Sequence, residues 1–445
     1  VLRVAVVGSG PSGCYTAQSL VQRDPGVHVD VLDRLPCPYG LVRYGVAPDH
    51  EKIKSLQGAL AAVLEHERVR FLGGVRVGGP GGLPVQRLRE LYHAVVYCVG
   101  AAGDRHLGIP GEELPGSWSA TDFVAWYSAH PDAVDAGFLH GVRSAVVIGV
   151  GNVAVDVARM LVRGAAELNP TDIPQAALDT LTESRLGEVH VVGRRGPAQA
   201  RFTTKELREL GGLPDTEVTV RADELALEPS DPGTLPGVSR RNLEVLRGWA
   251  EPAPEPAARR IGLRFFLRPV ELLAGEGGRV GAVRFERTAP DGQGGVTGTG
   301  RYEEVSAQLV LRSVGYRGVR LDGLPFDPVS GTVPHEAGRI VRGGAPAPGE
   351  YAAGWIKRGP TGVIGTNRPC AKETAASLLA DAPTLLGREV PGDPVPALRA
   401  AGFDPVPWPG WLAIQRAEAA LGARLGRSVV KLADWDALRT AAGTA

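Results

Sequence analysis

Two apolar runs in this chain each end in a glycine turn. Gly8-Ser9-Gly10-Pro11-Ser12-Gly13 succeeds the run ending at Val7, and Gly149-Val150-Gly151-Asn152-Val153-Ala154 succeeds Ser144 to Ile148. A strand buried on both faces reads as an uninterrupted apolar run, and a glycine turn straight after it opens a helix. With 60 glycines in 445 residues, roughly one bare match is expected by chance, so the flanks decide. After the first turn Cys14, Ala17, Leu20 and Val21 recur at helical spacing. Asp24-Pro25-Gly26 then ends the helix, and Val27, Val29 and Val31 alternate as a strand. After the second turn Val153, Val157, Ala158 and Leu161 form a helix face, and the insertion 165–187 precedes the strand Val189 to Val192. Both passages predict the strand, turn, helix, strand unit that binds dinucleotides. Its first glycine permits the tight turn, its second lets backbone approach a pyrophosphate, and its third position packs helix on strand. The phosphates meet the free N–H groups of the helix start.

The two second strands end in residues of opposite charge. Asp33 ends the first, where a carboxylate accepts hydrogen bonds from an adenosine ribose and repels a 2′-phosphate. Arg194 and Arg195 end the second, and guanidinium groups pair with phosphate through charge-assisted bonds. The first turn therefore suits FAD and the second NADP(H).

The formal net charge is zero, which argues against a nucleic-acid binder held by bulk electrostatics. No apolar run reaches the roughly 18 residues of a membrane span. The folded-looking run Val4 to Val7 at the start gives no targeting peptide, so a cytoplasmic protein without membrane insertion is expected. Cys14, Cys37, Cys98 and Cys370 lie far apart and form neither a CxxC pair nor a metal-ligand spacing. No metal is expected, and Cys14 and Cys98 read as small core residues.

At 445 residues the chain exceeds one core, so two domains are expected. The strands Ala94 to Gly100 and Gln308 to Gly315 look alike and bracket the second glycine turn. The expected fold is α/β with two Rossmann-like dinucleotide-binding domains, the NADP domain (105–315) inserted into the FAD domain (1–104 and 316–445). The glycine-rich stretch 273–300 reads as strands joined by flexible turns, 386–409 as an extended proline-rich connection, and 410–425 as a helix.

Longer strings carry a resemblance. PYGLVRYGVAPDH at 38–50, GRRGP at 193–197 with FTTKELRE at 202–209, and GWIKRGPTGVIGTN at 354–367 are similar to the adrenodoxin-reductase-like ferredoxin:NADP reductases, in their actinobacterial and mitochondrial-type branch. The resemblance covers most of the chain. It implies FAD contacts around Gly13 and at Asp33, Leu41, Val75, Trp355, Gly362, Val363 and Ile364. For NADP it implies Arg105, Val150 to Val153, Arg194, Arg195 and Glu206, with Gly362 beside the nicotinamide. Many relatives carry glutamate where this chain has the shorter Asp33, and alanine or threonine where it has Cys98.

The activity so implied is NADPH:ferredoxin oxidoreduction: hydride passes from NADPH to N5 of FAD, then single electrons pass to an iron-sulfur protein of ferredoxin type. The chemistry belongs to the cofactors, and the protein aligns them. Backbone N–H groups of Thr361 to Ile364, before a helix expected over 370–379, would stabilise the anionic reduced ring. His50 and Asp156 are the ionisable candidates at the flavin face. Ferredoxins are acidic, so Arg240, Arg241 and Arg247, at helical spacing, are the candidate docking residues. An NADPH-dependent flavin monooxygenase, a subunit of a larger flavin and iron-sulfur complex, and a non-catalytic NADP sensor are the alternatives. The 38–50 and 354–367 strings, and the lack of cysteine clusters, speak against them.

Overall fold

Strand Leu2–Val7 has Val4 and Val6 on one face and Ala5 and Val7 on the other, each set inside a separate apolar cluster. Two buried faces are what an uninterrupted apolar strand requires. The computed structural model describes residues 1–134, 137–228, 232–251 and 257–444. It divides into two units: Val1–Val46, His50–Asp104 and Gly315–Ala445 form the first, and Ala47–Asp49 with Arg105–Val314 the second.

In the first unit five parallel strands lie in the order Ala345–Ala352, Ala94–Tyr97, Leu2–Val7, Val27–Leu32, Val69–Gly73. Val4 is in register with both Val29 and Ala94. Antiparallel strands close both edges: Arg339–Arg342 and His335–Glu336 on one side, Val406–Pro407 on the other. Helices Pro11–Arg23 and Asn367–Leu385 cover one face through Cys14, Ala17, Leu20, Ala371, Ala375 and Leu378.

In the second unit six strands, all parallel, run Ser117–Ser119, Leu309–Arg312, Ser144–Ile148, Glu188–Val192, Arg259–Arg264, Thr216–Val220. Ala145 and Val147 pack with helix Asn152–Val162. Val146 and Ile148 face the other way, against Leu272, Val283 and Phe285 of an antiparallel meander, Leu267–Ala274, Val280–Pro290 and Val296–Ser306. That meander is what the glycine-rich 273–300 stretch builds.

Two segments differ from expectation, and a third has none. The helix expected at 370–379 runs Asn367–Leu385, because neither Pro369 in its first turn nor Pro383 near its end stops it. The stretch 386–409 is not simply extended: it holds the helix Val395–Ala400, whose proline sits in the first turn where no N–H is needed, and the edge strand Val406–Pro407. The insertion 165–187 folds as two helices, Ala165–Leu168 and Gln175–Glu183. None of the described helices is long and apolar enough to cross a membrane.

Candidate functional site

The three glycines of the first turn have different reasons to be glycine. Gly8 has φ +110°, and a Cβ on it would lie 2.4 Å from the Cys98 carbonyl oxygen. A Cβ on Gly13 would lie 1.8 Å from the carbonyl oxygen of Gly8. Those two are dictated by packing within the fold. At Gly10 the nearest atom to a Cβ is Gly40 Cα, 3.7 Å away, so the protein's own packing leaves room there. Gly10 is the N-cap of helix Pro11–Arg23 and brings no capping side chain, which leaves the helix start open to an anion. A pyrophosphate fits such a cradle.

Asp33 departs from the simple ribose acceptor. Its Oδ2 accepts the Ser9 N–H at 2.9 Å and the Ser9 hydroxyl at 2.5 Å, and its Oδ1 accepts the Leu35 N–H at 2.9 Å. A carboxylate has about four acceptor sites, so these bonds leave it about one for a ribose hydroxyl. Burial pushes its pKa up while the three bonds pull the other way. Val75 donates its N–H to the Asp33 carbonyl at 2.8 Å; its side chain is buried, so only backbone is available to a ligand. Opposite Gly10, Tyr39 (φ +83°) and Gly40 (φ +50°) form a second wall, tied by Tyr39 N–H to the Ser9 carbonyl at 3.1 Å. Leu41, next along, is 41% exposed.

The 354–367 string sits on the same helix start. A Cβ on Gly354 would lie 2.3 Å from Ser12 Oγ, and Gly354 N–H donates to Cys370 Sγ at 3.2 Å. The Trp355 ring stacks obliquely on Tyr316 at 5.4 Å. Arg358 braces the loop by donating to the Thr361 carbonyl at 3.2 Å and to Asn367 Oδ1 at 3.1 Å, while Asn367 Nδ2 donates to the Ile364 carbonyl at 3.0 Å. Within this frame Gly362 has φ +83°, Val363 is 67% exposed, Ile364 is half-buried, and no side chain caps the helix that begins at Asn367. An exposed helix start behind a glycine is suited to a ring that gains negative charge. His50 is buried at the N-cap position of the short helix Glu51–Lys54, without a side-chain capping bond.

The second turn repeats the device with one change. Gly149 has φ +136°, and a Cβ on it would lie 2.1 Å from the Ser313 carbonyl oxygen, the counterpart of Gly8 against Cys98. Gly151 has nothing within 4 Å of a Cβ. The third position is Ala154, fully buried. Asn152 Oδ1 accepts the Thr203 N–H and the Val150 carbonyl accepts the Arg201 N–H, both at 2.8 Å, which draws the loop 194–203 over the turn. Val153 is half-buried against the core.

That loop is held by its backbone. The Arg194 carbonyl accepts from Thr288 Oγ1 at 2.8 Å and the Arg195 carbonyl from Phe266 N–H at 3.1 Å. Buried Glu228 accepts the Ala198 N–H at 3.0 Å, and Asn242 Nδ2 donates to the Phe202 carbonyl at 3.1 Å. Sequence reasoning missed both supports, which come from distant segments and carry no local signal. Arg194 and Arg105 are exposed and Arg195 half-buried, and none of the three pairs with a carboxylate among the described residues.

Asp156, on the helix that opens at the second turn, and Glu206, on the helix that follows loop 194–203, gather around Arg159. This fully buried guanidinium meets Asp49 at 2.6 Å and Asp156 at 2.8 Å, with Glu206 at 3.6 Å and Glu209 at 3.7 Å. An arginine inside an apolar helical stripe was the overlooked signal. Arg240, Arg241 and Arg247 are exposed on helix Gly237–Gly248, with exposed Glu244 between them.

Two parallel-sheet units, each with an open helix start behind a glycine turn, one beside an acid and the other beside arginines, define a two-dinucleotide oxidoreductase. The family model described as pyridine nucleotide-disulphide oxidoreductase matches residues 2–210. The NADPH-ferredoxin reductase FprA of Mycobacterium tuberculosis is 47% identical over 84% of this chain and 83% of its own length. The mitochondrial NADPH:adrenodoxin oxidoreductase of Arabidopsis thaliana is 38% identical over 99% of this chain and 95% of its own. The solved structure of M. tuberculosis FprA in complex with NADPH superposes with a TM-score of 0.92 at 44% identity, over 99% of both chains. The chain belongs to the adrenodoxin-reductase-like ferredoxin:NADP reductase family.

Proposed function

We propose that this chain is an NADPH:ferredoxin oxidoreductase with FAD on the first unit's turn and NADP(H) on the second's. Bound FAD supplies the exchange between a two-electron hydride and single electrons. Gly8, Gly10 and Gly13 with Ser9, Asp33, Leu41 and Val75 hold its adenosine and pyrophosphate end; Trp355 and Gly362 to Ile364 hold its ring and stabilise the reduced form. Gly149 to Val153, Arg105, Arg194 and Arg195 hold NADP(H). Asp156 and Glu206 shape that unit through Arg159, and His50 and Asp156 are each proposed to take part in proton movement. The observation that carries the reading is the asymmetry of the turns: Asp33 is bonded into its own turn, whereas Arg194 and Arg195 have no carboxylate partner among the described residues.

The electron acceptor is an iron-sulfur protein. Arg240, Arg241 and Arg247 are the proposed docking residues, supported by their exposure on one helix and by the acidity of ferredoxins. The proposal places the protein in the cytoplasm, where its four free thiols stay reduced. Anaerobic titration of the purified protein with NADPH and with NADH, followed by ferredoxin, tests the whole reading. NADPH should bleach bound flavin at far lower concentration than NADH, and ferredoxin should restore the colour. Equal response to the two nucleotides, or reduced flavin untouched by ferredoxin, overturns it.

A further inference from the structure

The C-terminal part of the first unit holds a buried charge cluster that the cofactor residues do not account for. Glu418 lies on helix Trp408–Arg424 and Arg43 on the four-residue helix Leu41–Tyr44. Both are 3% exposed, and they meet through two hydrogen bonds of 3.2 and 2.5 Å. The Arg43 guanidinium also packs over the Trp411 ring at 4.9 Å and the Tyr44 ring at 5.0 Å. Lys431, equally buried, donates from Nζ to the Arg43 carbonyl at 2.7 Å, and Glu418 accepts the Leu432 N–H at 3.0 Å.

Well-packed apolar side chains would stabilise such a place as well or better, so net stability alone is a weak reason for the pair. The segment it holds is more telling. Tyr39 to Tyr44 opens with two successive positive φ angles, and it places Gly40 so near the first turn that a Cβ on Gly40 would lie 3.0 Å from Gly10 Cα. Trp411 meets Tyr39 edge to face at 5.7 Å, so the same helix braces both ends of the segment.

We infer that Glu418 is a positioning residue for FAD: by anchoring Arg43 it fixes the Gly40 wall opposite Gly10, and so the width of the pyrophosphate cleft. The inference rests on FAD occupying the first turn. It extends the flavin site to residues 408–432, outside the 2–210 span of the matching family model.

The test compares wild type, Glu418→Gln and the double variant Arg43→Met/Glu418→Leu, the last because an apolar pair keeps the fold where a broken pair does not. FAD affinity is read from flavin fluorescence on dilution, flavin geometry from visible circular dichroism, and folding from melting of the apoprotein. The double variant should melt near wild type, bind FAD at least about tenfold more weakly, and change the flavin dichroism. Hydrogen exchange on wild type adds a readout free of substitutions: removing FAD should speed exchange at Leu432 together with residues 39–44. A folded double variant that binds FAD within twofold of wild type, or Leu432 exchange indifferent to FAD, overturns the positioning role alone. A wild type that takes up no FAD overturns the cofactor reading as well.

Discussion

Replacing Gly151 by alanine separates what the second turn does for the fold from what it does for a nucleotide. Gly151 has φ −107° and ψ 179°, a conformation open to any residue, and its Cβ would touch nothing within 4 Å. Two small terms then act on stability. Alanine is a poorer N-cap than glycine by about 0.5–1 kcal/mol, while the lower entropy of the unfolded chain returns about 0.4–1 kcal/mol. The net change should stay under about 1 kcal/mol, a melting shift within about 2–4 °C. Nucleotide binding has no such compensation, because the added methyl stands where backbone must approach the pyrophosphate. NADPH affinity should fall at least about tenfold, or 1.4 kcal/mol. Gly149→Ala is the contrasting case: φ +136° and a Cβ 2.1 Å from the Ser313 carbonyl combine strain and overpacking, together about 2–6 kcal/mol. It should lose both stability and NADPH binding. Melting curves and equilibrium titration with NADPH measure the two quantities on the same samples. If Gly151→Ala binds NADPH within twofold of wild type, the second glycine is not the pyrophosphate contact and the placement of NADP on this turn fails.

Arg194→Gln and Arg195→Gln each remove a charge-assisted bond to phosphate worth about 1.5–3 kcal/mol. The KM for NADPH should rise about 10- to 100-fold with NADH kinetics unchanged; parallel losses for both nucleotides would refute the assignment. Gly362→Val puts a β-branched residue at φ +83° with its Cβ 2.3 Å from Thr366 Oγ1, which distorts the loop proposed to hold the flavin ring, so flavin content should fall and stopped-flow reduction of the flavin that remains should collapse; normal turnover would exclude Gly362 from the hydride path. Docking on the helix Gly237–Gly248 predicts that ferredoxin turnover falls steeply with salt while NADPH-to-dye turnover does not; equal salt curves count against it. His93 accepts the Arg3 N–H at 3.0 Å through Nδ1, and burial holds its pKa below 6.5. The fold thus favours the neutral ring, so its contribution is present above pH 6.5 and is lost as pH falls through the depressed value; denaturant melts should show that acid-side loss, and His93→Asn should flatten it.

The strand and turn pattern was legible because it is local: a buried strand shows as an apolar run, and Gly8 and Gly149 are forced by φ and by a neighbouring carbonyl. The true start of helix Asn367–Leu385 is masked in the sequence because Thr366 offers no capping bond and Pro369 looks like a breaker, although a proline in the first turn costs no hydrogen bond. The short helix at 395–400 is hidden for the same reason. Asp33 stands out as an acid at the right place, but its bonds to Ser9 and Leu35 depend on how the turn folds back on the strand end. Glu228, Asn242 and Glu418 act across 30, 40 and 375 residues of sequence, and no pattern along one chain registers such pairs.

The two turns solve one mechanical problem in ways that fit the different ligands proposed for them. Each turn must be tied to something beyond its own backbone, since glycine brings no side chain to hold it. In the first, Ser9 is tied to Asp33, so the acid at the strand end steadies the turn, and under the proposed assignment it also sets negative charge against a 2′-phosphate. In the second, the tie runs from Asn152 Oδ1 to the Thr203 N–H, a neutral bond made from the helix side. No acid at the end of strand Glu188–Val192 is then needed for support, and Arg194 and Arg195, themselves held by their carbonyls, keep both guanidinium groups for the ligand. An acid at position 194 would be redundant for the turn and repulsive to the phosphate; an arginine at position 33 would leave Ser9 N–H and Oγ without their acceptor. The charge contrast between the strand ends therefore follows from which side chain anchors each turn as much as from the dinucleotide proposed for each.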